Sequence, residues 1–306
     1  MSDIKLFSQN GSALTELASS SAPLEKALQT TFEQNLETLL GVRFLASEYV
    51  TSNGGRMDTL GIDENGYPVI IEYKRERSEN VINQGLFYLD WLMDHRGDFE
   101  LLVRDKFGKE TADAIEWSAP RLICIAADFT KYDEHAIKQM SRNIELIRYR
   151  RFGEDGALLM LDLLTVVSTK AQPVGPAPAG KPTKYKTNAQ SLADAGEALA
   201  NLYSDIETFL MGLGDDVVQK TLNNYFAFKR IKNFACVEIK PQINVVRLYL
   251  KVDPEVVEMI DGLEEGFTRD VRNIGHFGTG DLEVTVKNHE DFERAKPLIL
   301  QSYEAS

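Results

Sequence analysis

The sequence predicts a two-domain α/β protein: a mixed sheet flanked by helices in the order α-β-β-β-α-β, then a smaller α+β domain. Three observations predict it. The chain has 306 residues, 43% of them hydrophobic, enough for two cores at about 100–200 residues per domain. A Pro- and Gly-rich run between Lys170 and Lys186 suits neither helix nor central strand. On both sides of it, apolar residues switch between helical spacing and short strand-like runs. The expected division is therefore 1–170, a linker at 171–186, and 187–306.

The first 22 residues, rich in Ser and Ala, carry no element signal. A helix is expected over 23–40, with Pro23 in its first turn and Gly41 as its stop. Strands follow at 43–50, 57–63 and 68–74, and the turn Asp63-Glu-Asn-Gly-Tyr67 joins the last two as a hairpin. Helices are expected at 81–95, 106–117 and 132–143, and strands at 122–127, 144–152 and 158–166. Beyond the linker come helices at 189–212 and 215–222 and strand-like runs at 225–231, 234–240 and 245–252. A short helix at 254–263, a strand at 282–286 and a helix at 290–303 complete the second domain.

Composition excludes several classes. No run of about 18 apolar residues exists, so no membrane helix is expected. The start of the chain lacks a basic, then apolar, export pattern, and its two cysteines, Cys124 and Cys236, form no disulfide framework or zinc spacing. A cytoplasmic location is expected. The net charge of −13 argues against a broad basic surface for nucleic acid, although a local groove stays open.

The chemistry concentrates in Gly54-Gly-Arg-Met-Asp58 and Val69-Ile-Ile-Glu72-Tyr-Lys74. With Asn65 at the centre of the turn, Asp58 falls directly opposite Glu72, and opposed residues have Cβ atoms about 4.5–5.5 Å apart. Lys74 shares their face, two residues beyond Glu72. The register depends on that turn, since a slip of one residue would undo the pairing. Facing carboxylates repel unless a cation lies between them. A hard ion such as Mg²⁺, or Mn²⁺ in its place, takes oxygen ligands and supports phosphodiester hydrolysis. A neighbouring lysine can orient water or stabilise the transition state.

A third acid comes from the helix at 23–40. On a helical wheel Glu25 falls about 40° from the centre of the apolar side, whereas Glu33 and Glu37 lie on the polar side. A carboxylate on the packed side needs a partner or a metal. Glu25 is thus the first choice for a helix-borne ligand and Glu33 the second.

Asp58, followed after thirteen residues by Glu72-Tyr-Lys74, resembles the PD-(D/E)XK nuclease superfamily. The motifs Glu25-Lys-Ala-Leu-Gln29, Gly55-Arg-Met-Asp58 and Ile71-Glu-Tyr-Lys-Arg75 are similar to those of NucS-like endonucleases. Gln84-Gly-Leu-Phe-Tyr88 looks like the QxxxY element of the RecB-type branch. The resemblance implies the PD-(D/E)XK core, Mg²⁺-dependent cleavage of DNA, and Asp58, Glu72 and Glu25 as metal-site acids. It implies Lys74 as the catalytic lysine, with the Tyr73 backbone carbonyl as a further metal ligand. Gln84, Tyr88, Arg56 and Arg75 are expected near the site or the DNA backbone. Met57 departs from the usual Pro before the acid. Some members of the fold dimerise to cut both strands, so a homodimer stays open. Residues 187–306 resemble an uncharacterised domain found behind such nucleases, through Asn224-Tyr-Phe-Ala-Phe-Lys-Arg230 and Gly275-His-Phe-Gly-Thr-Gly-Asp-Leu282.

Plainer readings stand beside these. Gln84 and Tyr88, four apart, share a helix face and can simply pack with Phe87 and Trp91. Arg75 can be part of a solvated loop. Arg148-Tyr-Arg-Arg151 reads as a phosphate contact or as a charged edge strand. Lys229-Arg-Ile-Lys232 among Tyr225, Phe226, Phe228 and Phe234 reads as a base-stacking platform or as aromatic core with lysines outside. His276 is expected to hydrogen-bond in its Gly-rich turn. The alternative for the whole chain is a catalytically silent module that keeps the fold to bind nucleic acid or protein.

Overall fold

The computed structural model describes residues 4–21, 24–75, 80–167, 186–260 and 262–306. The chain forms two compact units, Met1–Val174 and Gly175–Ser306. Apart from Lys186, the expected linker lies outside the described residues, as does Pro23.

The first unit opens with a hairpin, β1 (Leu6–Asn10) and β2 (Ala13–Leu17), then a two-residue strand β3 (Ser19–Ser20). These strands replace the featureless segment expected there. Their side chains are largely exposed, so no buried face marked them in the sequence. The expected single helix is two, α1 (Glu25–Glu33) and α2 (Leu36–Leu40). The break falls at Asn35, whose side chain takes the Thr31 carbonyl at 2.8 Å in competition with the helical backbone. Gly41, at φ 63°, ends α2 as expected.

Three strands follow: β4 (Val42–Val50), β5 (Arg56–Asp63) and β6 (Pro68–Lys74). Next come α3 (Val81–Asp94), α4 (Arg96–Phe107), α5 (Lys109–Asp113) and β7 (Arg121–Ala126). The helix expected at 106–117 is displaced, because α4 begins at Arg96 and Gly108 at φ 88° stops it. Gly97 in the first turn hid that start. Then α6 (Lys131–Lys138), β8 (Asn143–Phe152) and β9 (Leu158–Val167) close the unit.

The sheet order is β3-β8-β7-β6-β5-β4, with β9 also paired to β8. The β4–β5 and β5–β6 pairs are antiparallel, and β6–β7 and β7–β8 are parallel. This is a mixed sheet flanked by helices in the expected order. Parallel neighbours need a crossover, which α3, α4 and α5 supply between β6 and β7. The apolar run Leu122 to Ala126 is wholly buried, as a central strand covered on both faces requires. Arg121, at the start of β7, reaches Asp63 at 2.7 Å and forks onto both oxygens of Glu145 at 2.8 Å. These three buried charges tie β5, β7 and β8 together.

The second unit comprises α7 (Asn188–Ala193), α8 (Glu197–Met211), β10 (Val218–Thr221), β11 (Phe226–Lys229), β12 (Asn233–Lys240), β13 (Val245–Leu250), α9 (Pro254–Ile260), β14 (Thr268–Asp270), β15 (Leu282–Val286) and α10 (His289–Glu304). Its antiparallel sheet runs β10-β11-β12-β13-β15-β14. The expected helix over 215–222 is instead β10, because pairing Val218 with Lys229 and Thr221 with Phe226 overrides local propensity. The long helix expected over 189–212 divides at Gly196. Among the described residues, no helix is long and apolar enough to cross a membrane.

Candidate active site

The site begins with the β5–β6 turn. Asp63 Oδ1 accepts the amides of Asn65 and Tyr67, both at 2.9 Å, and Gly66 takes φ 82°. The Arg121 contact holds the other Asp63 oxygen. The resulting register pairs Thr59 with Ile71, Leu60 with Ile70, Gly61 with Val69 and Ile62 with Pro68. Continued by one residue, it sets Asp58 against Glu72.

There the backbone ladder gives way to side chains. The Asp58 amide donates to Glu72 Oε1 at 3.2 Å, and the Tyr73 amide donates to Asp58 Oδ2 at 3.0 Å. Glu72 is wholly buried, and its Oε2 has no hydrogen-bond partner among the described residues. Burial, then the charge of Asp58, pushes the Glu72 carboxyl up to about 9, against the pull of the Asp58 amide and Lys74. Burial raises Asp58 as well, while the Tyr73 amide and Lys74 oppose the rise.

Lys74 extends from the end of β6 to Glu25 at the start of α1, Nζ to Oε1 3.0 Å. Burial disfavours the ammonium, but Glu25, Asp58 and Glu72 together hold its pKa above the ordinary lysine value. The second Glu25 oxygen accepts the Arg75 amide at 3.2 Å. Glu25 therefore stands at the site, engaged with Lys74. Glu33 lies two turns along α1, accepting from Thr59 Oγ1 at 2.6 Å and from Gln29 at 2.9 Å.

Gln29 was missed by sequence reasoning. Its buried amide donates to the Asp58 backbone carbonyl at 2.7 Å and to Ser47 Oγ at 3.3 Å, pinning α1 to β5 beside the acid. Its position one turn after Glu25 was the available signal. Glu48 was also missed: it pairs with Lys26 and Arg56, each at 2.8 Å.

Gln84 and Tyr88 meet as the spacing predicted, Nε2 to OH 3.2 Å. The Tyr88 hydroxyl also accepts the Arg56 amide at 3.2 Å, which couples α3 to the strand bearing Asp58. Tyr88 also packs as the plainer reading expected, with its ring centroid 5.8 Å from that of Phe87 and in one buried cluster with Trp91. Gly55 allows the approach: a Cβ there would lie 2.5 Å from the Tyr88 ring and 2.8 Å from Thr51 Oγ1. The Arg56 and Arg75 side chains are exposed, and the Arg75 carbonyl accepts the Tyr149 hydroxyl at 2.9 Å.

The edge-strand reading of 148–151 requires correction, as does a phosphate contact through Arg148 or Arg151. The strand is interior over Arg148, which is buried with its guanidinium on Asp128 and Asp162. Tyr149 is wholly buried, and Arg151 binds the carbonyls of Asp155 and Gly156. The guanidiniums of Arg148 and Arg151 are thus committed within the fold.

Among the described residues, no three His, Cys, Asp or Glu side chains gather into a metal cage. Two carboxyls do meet, and one has a buried oxygen without a hydrogen-bond partner. That donor set, all oxygen, fits a hard divalent cation completed by a backbone carbonyl and water.

Residues 189–306 match the family described as Domain of unknown function (DUF5655). An uncharacterized protein of Haemophilus influenzae is 29% identical over 311 residues, spanning 98% of this chain and 99% of its own length. Solved structures similar to part of the chain include a repair endonuclease from Pyrococcus abyssi, 17% identical with a TM-score of 0.29. It matches over 42% of this chain and 49% of its own. An EndoMS–dsDNA2 complex has 20% identity and a TM-score of 0.27, covering 40% of this chain and 43% of that one. EndoMS in apo form has 19% identity and a TM-score of 0.25, covering 44% and 49%. The chain thus spans about half of each of these structures or less. At such scores the likeness carries no weight for the site.

In the DUF5655 region the stacking platform is overturned. Tyr225, Phe226, Phe228, Phe234 and Lys229 are all buried. Arg230 pairs with Asp216 at 2.7 Å and lies over the Tyr303 ring. The aromatics are core: Phe226, Phe228 and Phe234 belong to the buried apolar cluster of this unit. His276 stacks on Tyr249 with ring centroids 4.6 Å apart.

Proposed function

We propose that residues 1–170 form a PD-(D/E)XK-type nuclease domain that hydrolyses DNA phosphodiester bonds with Mg²⁺ or Mn²⁺. The observation that carries the reading is Glu72 Oε2: buried, without a hydrogen-bond partner among the described residues, and beside Asp58 and Lys74. A buried carboxylate is retained where it has a partner or a ligand to hold.

Asp58, Glu72 and the Tyr73 carbonyl would hold the ion, and Glu25 would join them once it parts from Lys74. When bound, the ion stabilises charge on the phosphoryl oxygens and acidifies water. Lys74, kept protonated by its acidic neighbours, orients the attacking water for in-line displacement and stabilises the oxygens that gain charge. The Asp58 and Tyr73 amides hold the two carboxyls in place. Gln84 and Tyr88 fix the approach of the Arg56 segment, and Arg56 and Arg75 meet phosphates. Two buried thiols, Cys124 and Cys236, support a reducing cytoplasm as the compartment.

The rival is a silent binding module. It draws on the engagement of Glu25 by Lys74 and on the lack, among the described residues, of a cluster of three metal-ligating side chains. Cleavage of plasmid and labelled oligonucleotide DNA with Mg²⁺ or Mn²⁺ separates the two. Cutting that disappears in Asp58→Ala and in Lys74→Ala, both still folded, supports the nuclease. Cutting unchanged in both variants removes this site assignment, and no cutting by the wild type favours the module.

A further inference from the structure

Two exposed cations beside Asp58 close on a single carboxylate. Lys26 Nζ lies 2.8 Å from Glu48 Oε1, and Arg56 Nε lies 2.8 Å from Glu48 Oε2. Glu48 falls opposite Asp58 across the β4–β5 pair, between the matched pairs Ser47–Thr59 and Tyr49–Met57. Its φ is 52°, in the left-handed region that residues other than glycine seldom occupy. Such backbone persists only where surrounding contacts enforce it, and it concentrates at functional sites.

Both cations are tied to the site, Lys26 through its ammonium and Arg56 through its backbone amide, and both side chains stay largely exposed. Lys26 also donates to Gln29 Oε1 at 3.1 Å, and Gln29 holds the Asp58 carbonyl. The Arg56 amide is bound by Tyr88. The side chains themselves are 58% and 66% exposed. Ion pairs this exposed contribute little to stability, so exchanging their anion is easy. A phosphate suits the same two heads, taking arginine through a fork and lysine as a point charge. In a chain of net charge −13, attraction for a polyanion must come from such local groups.

We infer that Lys26 and Arg56 form a clamp for a DNA backbone phosphate beside Asp58 on the β4–β5 pair, with Glu48 as the internal anion that the phosphate displaces. This rests on the nuclease reading above. Glu48 keeps the clamp assembled without DNA and competes with the phosphate for it. The contact therefore restrains binding as well as shaping it.

The test is fluorescence anisotropy with the full chain and labelled double- and single-stranded oligonucleotides. EDTA prevents cleavage, and NaCl is varied. Lys26→Ala and Arg56→Ala should each weaken duplex binding and flatten the slope of log K against log salt by about 0.9. Glu48→Gln keeps the side-chain shape and should tighten binding about 3- to 10-fold at low salt. Thermal melts confirm that each variant is folded. Duplex binding by the wild type with unchanged slopes in Lys26→Ala and Arg56→Ala overturns the clamp and leaves the nuclease reading standing. Weaker or equal binding by Glu48→Gln overturns its role as the displaced anion. No binding by either the wild type or Glu48→Gln overturns both readings together.

Discussion

Asp58 and Glu72 hold each other's strands by their side chains. The Asp58 amide donates to Glu72 at 3.2 Å, and the amide after Glu72 donates back to Asp58 at 3.0 Å. A backbone pair would close the sheet at this point. The exchange opens it, and among the described residues it leaves one Glu72 oxygen without a hydrogen-bond partner.

Stability of the metal-free protein should fall as pH rises. The Glu72 carboxyl lies at about 9 in the folded chain against an ordinary 4.5. Folded protein thus keeps a proton that the unfolded chain has released. The contribution is complete below about pH 4.5 and is lost as pH climbs through about 9, with a slope of up to ~1.4 kcal/mol per pH unit. Asp58 is raised too and acts with the same sign. Thermal melts in EDTA across that window measure it. Glu72→Gln should flatten the dependence, and a dependence equal to that of wild type would refute this origin.

Divalent metal should reverse that trend. Binding expels the Glu72 proton, so affinity for Mg²⁺ or Mn²⁺ should rise with pH through the same window. Calorimetry in two buffers of different ionisation enthalpy reads the proton directly. Saturable binding should disappear when Asp58→Ala and Glu72→Ala are combined. Binding without proton release would place the ion elsewhere.

Lys74→Ala should separate chemistry from folding. The Lys74–Glu25 pair is partly exposed, so stability should change by less than about 1 kcal/mol. Cleavage should fall by about 10²- to 10³-fold, the usual effect of removing one group that stabilises a transition state. Lys74→Arg should not restore it, because a planar fork does not replace a point charge. Single-turnover cleavage and urea melts on the same preparations test both halves.

Arg121→Ala should damage a site it never touches. It strands Asp63 and Glu145 as buried charges, at about 3–5 kcal/mol. Asp63 also organises the β5–β6 turn and hence the register of Asp58 with Glu72. Denaturant melts should show the loss. A variant within about 1 kcal/mol of wild type would show that the turn holds register unaided.

Much of the site was legible because it is built from short-range rules. The turn Asp63-Glu-Asn-Gly-Tyr67 specifies hairpin register, and strand alternation then brings Asp58, Glu72 and Lys74 together. Helical periodicity placed Glu25 toward the sheet and set Gln84 beside Tyr88, but it put Glu33 on the polar side, whereas Glu33 is hydrogen-bonded to Thr59 of β5. What failed was equally physical. Asn35 breaks a helix through one side-chain bond, and Val218 to Thr221 is a strand only because β11 lies beside it. Buried Arg148 was read as a surface charge because its partners, Asp128 and Asp162, are remote in sequence.

The sequence by itself determined the α/β class, the hairpin, and which acids and lysine share one end of it, because each follows from turn chemistry and periods of 2 and 3.6 residues. Only the tertiary structure decided that Gln29 grips the Asp58 carbonyl and that Glu25 holds Lys74 across 49 residues of chain. It alone decided that Glu48 gathers Lys26 and Arg56, and that Glu72 keeps a buried oxygen with no hydrogen-bond partner among the described residues. These are matters of distance and desolvation between segments, and local patterns do not encode them.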